Sequence, residues 1–253
     1  MNTERERGVI SAFVGIAKSL TEGYDIVELY TELTTDCVRL LDIASAGLLL
    51  ADGLGVLHLM AASSERAHDI ETFQLQRHEG PCLDCFRDGA PVLVDDLAAA
   101  EQRWPQFVPA ALSAGFTSVH ALPMRLQDTV LGALGLFSTE TGRLTDDDLH
   151  LGQALAATAS LALVAERSSA DKDALNAQLH TALQSRVVLE QAKGLIAQSG
   201  SLDMEQAFDV LRRYARDHNE KLSHVAAQTV ERTLPAGVIL DHARRKGIAG
   251  LTE

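Results

Sequence analysis

The chain has no uninterrupted apolar run of about 18 residues, so none of its segments is expected to span a bilayer. Its first residues, MNTERERGVISAF, mix charges around a short apolar stretch, unlike a secretory leader, so we expect a cytoplasmic protein. Cysteine is scarce. Cys37, Cys82 and Cys85 are too few for a disulfide framework, which fits a reducing compartment. Also missing are the glycine-rich G-x-x-x-x-G-K-[ST] loop that cradles phosphates and the G-x-S-x-G elbow that presents a nucleophilic serine. Cations are outnumbered: 22 Lys and Arg face 35 Asp and Glu, a net charge of −13. Such an excess of acid repels nucleic acid as a whole.

The distribution of charge changes that conclusion. Residues 1–169 hold 11 basic against 24 acidic residues, and residues 170–253 hold 11 against 11. All the excess acid lies in the first part, which marks a domain division. With 46% apolar residues the chain can bury a core, so global disorder is excluded.

Periodicity gives the elements. Apolar residues at helical spacing mark helices over 7–20 and 25–42, the second capped by Asp25. The texture then changes to short strands. ASAGLLLADGLGVLHLMAAS reads as a hairpin around Asp52-Gly53, PVLV as a strand, and TSVHALPMRL with TVLGALGLF as a second hairpin turning at Gln127-Asp128. Helices are expected at about 64–75, 81–88 and 98–114. From Thr145, a cap followed by Asp146, Asp147 and Asp148, a long Ala/Leu-rich helix begins. The result is an α+β domain, a central antiparallel sheet with flanking helices, joined by a long helix to an all-α bundle.

Within the joining helix, Leu161, Ser168, Leu175, Ala182 and Leu189 fall seven apart, as do Ala165, Lys172, Leu179 and Arg186. This broken heptad seam predicts a homodimer through residues 150–190; an ordinary amphipathic helix packed on its own domain explains the pattern as well.

The phrases EGPCLDCFRDGAPVLVDD (79–96) and LPMRLQDTVLGALGLFS (122–138) resemble those of GAF domains, small-molecule or redox sensors. The resemblance spans residues 5–165 and implies a sensor domain with room for a small-molecule ligand. Gly132 and Gly135 are expected where backbone or helix approaches closely. A GAF sensor lacks the phosphoacceptor aspartate of a receiver domain, so phosphorylation is not the expected input.

Cys82 and Cys85 form C-x-x-C behind His78. A zinc site needs four ligands, and the chain offers no second pair at metal spacing, so no metal or other cofactor is expected. Some GAF-fold proteins reduce free methionine sulfoxide with cysteines, which keeps an enzymatic reading open. The plainer reading is a helix over 81–88 that buries a thiol. His58, His68 and His120 each stand singly in an element and read as structural.

The last part carries the sharper motifs. Three helices are expected: 174–198, stopped at Ser199-Gly200; a second capped by Asp203 with Met204, Ala207, Phe208, Leu211 and Ala215 inside; and a third from Glu220 with Leu222, Val225, Ala226 and Thr229 inside, ended by Pro235. The strings Arg186-x-x-Leu189-Glu190-Gln191-Ala192-Lys193-Gly194-Leu195-Ile196, Ala207-Phe208-x-x-Leu211-Arg212-x-x-Ala215 and Lys221-Leu222-x-x-Val225-Ala226 resemble the ANTAR domain, the RNA-binding output module of bacterial transcription antiterminators. Ala197 stands where that family usually has Met. The resemblance implies a non-enzymatic antitermination regulator that binds hairpin loops of nascent RNA. A DNA-binding regulator is the rival.

Mid-helix Gly194 costs about 1 kcal/mol against Ala, a cost that close approach of a partner or RNA would offset. Arg186, Lys193, Arg212, Arg216 and Lys221 are the candidate phosphate contacts, and Ser223 and His224 are placed to meet unpaired bases. Solvated faces with internal ion pairs, such as Asp209 with Arg213, are the alternative for each cation alone. The expected domains are 5–165 (sensor), 166–181 (helical linker), 182–236 (RNA-binding bundle) and 237–253 (a flexible basic tail with Arg244, Arg245 and Lys246).

Overall fold

The computed structural model describes residues 3–22, 25–142, 144–165 and 172–247. The chain divides into two compact units, Met1–His180 and Thr181–Glu253.

The first unit contains α1 (Thr3–Glu22), α2 (Ile26–Leu41), β1 (Ser45–Ala51), β2 (Leu57–Ala62), α3 (Glu65–Arg77), α4 (Pro81–Asp88), β3 (Val92–Val94), a 3-10 turn at Ala98–Ala100, α5 (Phe107–Ser113), β4 (Ser118–Leu126), β5 (Thr129–Ser138) and α6 (Asp146–Ala165). The strands form one antiparallel sheet in the order β2-β1-β5-β4-β3. Central β1 is buried at every residue, as expected of a strand covered on both faces. Leu122 and Leu136 point to α6 and α2, where Gly152 and Leu41 meet them. The opposite face, with Leu49, Val119, Ala121, Ala133 and Phe137, packs under α3, α4 and α5.

Local chemistry sets the element ends. The Asp25 carboxylate accepts hydrogen bonds from the backbone N–H groups of Val27 (3.0 Å) and Glu28 (3.3 Å), starting α2. Ser64 does the same for α3 through Ala67 (3.2 Å), and the Thr145 hydroxyl accepts from Asp148 N–H (3.2 Å) at the head of α6. Trp104, the sole tryptophan of the chain, is 2% exposed and donates its indole N–H to Asp84 at 3.2 Å. The expected helix at 98–114 is shorter, because Pro105 cannot extend a helix across it and only Phe107–Ser113 winds fully. In α1 the buried stripe is Gly8, Ala12 and Ile16, while Ile10 is 63% exposed.

α7 (Lys172–Gly200) leads into the second unit, followed by α8 (Met204–Asp217), α9 (Leu222–Val230) and α10 (Ala236–Arg245). Asp203 and Gln206 form a capping box: Gln206 N–H donates to Asp203 (2.7 Å), and Asp203 N–H donates to the Gln206 side chain (3.1 Å). Leu189, Ala192, Ile196, Ala207, Val210, Leu211, Leu222, Val225 and Ala226 make the core. Met204 and Phe208, expected inside, are half-buried.

The expected flexible tail at 237–253 is corrected over residues 237–247. α10 buries Ile239, Leu240 and Ala243 and packs on α8, and its Leu240 lies where a side chain on Gly200 would stand. Burying two such aliphatic side chains contributes about 1.5–3 kcal/mol each towards holding this helix on α8. Pro235 therefore starts this helix; α9 ends earlier, at Val230, and Arg232 then takes a left-handed turn. Residues 166–171 of the expected linker and 248–253 of the tail lie outside the described residues, as does Ser168 of the heptad seam.

Candidate nucleic-acid interface

The cations singled out in the sequence fall on three helices of the second unit. On α7, Arg186, Glu190 and Lys193 are one helical turn apart. Glu190 receives both cations: Arg186 Nη2 at 2.5 Å and Lys193 Nζ at 3.1 Å. The Lys193 ammonium also lies 5.9 Å from the centre of the Phe208 ring on α8, a cation–π contact. The Arg186 and Lys193 side chains are only 11% and 10% exposed. Neither cation stands on a freely solvated face: both lie along the packed side of α7, held by Glu190, with Lys193 snorkelling over Phe208.

Gly194 follows, exposed, and a Cβ there would meet nothing within 4 Å. Among the described residues, nothing packs where a side chain at that position would stand.

On α8, Arg212 is half-buried and Arg216 exposed, one turn apart. Arg213 pairs with Asp217 (3.1 Å), a carboxylate that also takes His242 Nε2 (2.9 Å) from α10 and Lys246 Nζ (3.8 Å) from the residue that caps it. These hydrogen bonds, first from His242 and then from Arg213, hold the Asp217 carboxyl below its ordinary range. The same seam stacks His218 on Tyr214 at 4.0 Å and sets His242 edge-on to Tyr214 at 5.3 Å. On α9, Lys221 is the exposed N-cap, Ser223 is half-buried, and His224 is exposed beside Glu220 (3.1 Å).

In the first unit the cysteines have no exposed chemistry. α4 buries Cys82 and Cys85 fully, both thiols rather than one, and Cys37 is buried in α2. Burial pushes the Cys85 thiol up to about 12 and the Cys82 thiol well above its ordinary value. A reactive cysteine needs the opposite shift. His58 pairs with Asp52 (2.9 Å), and His120 Nε2 accepts from Leu144 N–H (3.3 Å), so both are bound into structure.

Two arrangements escaped sequence reasoning. The His218–Tyr214–His242–Asp217 seam depends on α10, whose existence was missed. The other is a buried polar group on α3, where Glu71 and Gln74 continue the inner stripe begun by Ala67 and Ile70. Its signal was present: two polar residues at helical spacing in line with apolar ones.

An antiparallel sheet faced by helices on both sides is followed in the chain by a small helical bundle that carries arginines and lysines. The sequence model of the GAF domain matches residues 24–164, and that of the ANTAR domain matches residues 177–230. The chain belongs to the GAF family and carries an ANTAR domain behind its GAF domain, the architecture of a signal-sensing ANTAR-type regulator. No curated protein matched the sequence. Among solved structures, the GAF domain of an Acinetobacter phosphoenolpyruvate-protein phosphotransferase is 12% identical, with 64% of this chain and 94% of that chain covered and a TM-score of 0.48. The GAF region of a membrane protein from Geobacter sulfurreducens is 20% identical (55% and 93% covered, TM-score 0.48). The free methionine-R-sulfoxide reductase of Neisseria meningitidis is 14% identical (72% and 91% covered, TM-score 0.47). Among the described residues, no helix is long and apolar enough to cross a membrane.

Proposed function

We propose that this protein is a cytoplasmic, signal-responsive antitermination regulator that binds hairpin loops of nascent RNA through its second unit and catalyses no reaction. The observation that carries this reading is the ANTAR match over residues 177–230, together with its motif cations on the folded bundle. Arg212, Arg216 and Lys221 supply phosphate contacts from α8 and the start of α9. Ser223 and His224, at the head of α9, meet unpaired bases. Arg186 and Lys193 face the phosphates from α7 once RNA competes with Glu190 for them, and the bare backbone at Gly194 lets the strand approach. The first unit takes a small-molecule or other signal, and two chains pair through the long helical segment.

The test is a salt titration of binding to a hairpin RNA and to a duplex DNA of matched length. Tight, steeply salt-dependent binding to the hairpin alone supports the reading. Preference for the duplex replaces it with a DNA-binding regulator. Turnover of free methionine sulfoxide would reassign the first unit to a reductase, against which the buried thiols argue. Crosslinking in cells followed by sequencing of the bound RNA identifies the transcripts.

A further inference from the structure

In the first unit, a carboxyl is sealed between α3, α4 and the middle of the sheet. Glu71 on α3 is completely buried. It reaches the sheet where Gly47 of β1 stands directly opposite Gly135 of β5. A Cβ on either glycine would lie 2.5 Å from Glu71 Oε1, so the cross-strand glycine pair forms the notch that admits the carboxyl. Two groups hold it there. The Gln74 amide donates to Oε2 at 2.5 Å, and Cys82 Sγ lies 3.5 Å from Oε1. Gln74 in turn accepts from the Cys82 backbone N–H at 3.1 Å, so the carboxyl, the amide and the first turn of α4 form one connected group.

Among the described residues, the surroundings contain no counter-charge to match a carboxylate. β1 (SAGLLLA), β5 (TVLGALGLFS) and α5 (FVPAALS) have no ionisable side chain. β2 has only His58, committed to Asp52 at the hairpin end. α4 presents the thiols of Cys82 and Cys85, both neutral, while its Arg87 pairs outward with Asp84 and Asp88. The remaining charges of α3 lie on its solvent side. As the neutral acid, Glu71 can donate its own O–H to the Cys82 sulfur and leave no charge unmatched. As an anion it is a buried charge facing neutral donors, a state that proteins avoid by neutralising the group or moving it to water.

We propose that Glu71 is a proton-linked switch of the sensor domain: the neutral carboxyl locks α3 and α4 onto the Gly47–Gly135 notch, and loss of its proton to solvent drives the carboxylate out and loosens both helices from the sheet. Burial pushes this group up to about 8, the direction the geometry requires. In the unfolded chain a glutamate ionises near about 4.3. Between these values the native state holds the extra proton, so the stability of the unit falls as pH rises through this window and levels off above about 8. The inference is independent of what the second unit binds.

Infrared spectroscopy of the full chain carrying 13C-labelled glutamate tests it. The isotope-shifted carbonyl band of a protonated acid is expected at about pH 6. It should vanish with a midpoint within about one unit of 8, and be absent from Glu71→Gln. Over the same range, hydrogen exchange of the α3 and α4 amides, corrected for intrinsic rates, should accelerate severalfold in the wild type and stay constant in Glu71→Gln. The labelled wild type reads the band even where the variant fails to fold. Absence of the band at about pH 6, its survival beyond about pH 10, or its loss with α3 and α4 equally protected throughout would overturn the proposal.

Discussion

Glu190 accepts both Arg186 and Lys193, so these three residues present a net charge of +1 to an approaching phosphate rather than +2. Removing the acid should raise that net charge to +2. Glu190→Gln is expected to tighten hairpin RNA binding several-fold and to steepen its salt dependence by about one charge, read from a log–log salt titration. Lys193→Ala should do the reverse, weakening binding with a slope flatter by about one charge. Because Lys193 also covers Phe208, that variant loses packing as well as charge. Fully buried Leu211 is purely structural; Leu211→Ala should cost the bundle about 2–5 kcal/mol in denaturant unfolding. The buried cysteines predict the opposite split. Cys82→Ser with Cys85→Ser lowers the melting temperature of the first unit while RNA affinity stays within about twofold, well under the 1.4 kcal/mol of a tenfold change. What the sequence showed at this scale was the type and spacing of the cations. What it hid was their partners, since burial of Lys193 depends on how α8 lies against α7, and no pattern within α7 alone encodes that.

Among elements, legibility followed the strength of the end signals. α8 carries a full capping box and α2 an aspartate cap, and both start where their caps place them. α3, expected at about 64–75 from periodicity, runs from Glu65 to Arg77 behind a Ser64 cap, and the turn at Gln127-Asp128 separates β4 from β5 as expected. α10 was missed because its apolar residues fill little more than one turn and its cations dominate the eye. Its hold on α8 is partly electrostatic, which gives a pH prediction. Asp217 has a folded-state pKa below its ordinary 3.8, so its pairing with His242 and Arg213 stabilises the native state above that value and is lost as pH falls through the lowered one. Residues 237–247 should therefore become sensitive to proteolysis in acid before α8 and α9 do, as acid-active protease digestion followed by mass spectrometry can show. His242→Ala should bring the same release at neutral pH.

For the whole molecule, the even division of charge in residues 170–253 and the acid excess before them were legible, as was the order of the two domains. The heptad seam was less so. Leu161 is 56% exposed on α6, as a dimer helix requires, but Leu179, Ala182 and Leu189 are already buried in this chain. A second copy would thus meet the sensor-side stretch, where Leu161 is open. Light scattering at micromolar concentration should give twice the 27.2 kDa chain mass, and Leu161→Glu should halve it. A wild-type chain that scatters as one copy, with and without RNA, removes the dimer.

Trp104 makes the two units separately observable. It is the chain's one tryptophan and lies buried in the first unit against Asp84, so selectively excited emission reports on that unit alone. Far-ultraviolet ellipticity, by contrast, sums the helices of both. A single melting temperature is not a defined quantity for such a chain. Recorded on one sample, the two optical signals divide the transition: whatever ellipticity is lost without a change in tryptophan emission belongs to the second unit, with no truncated protein or attached dye required.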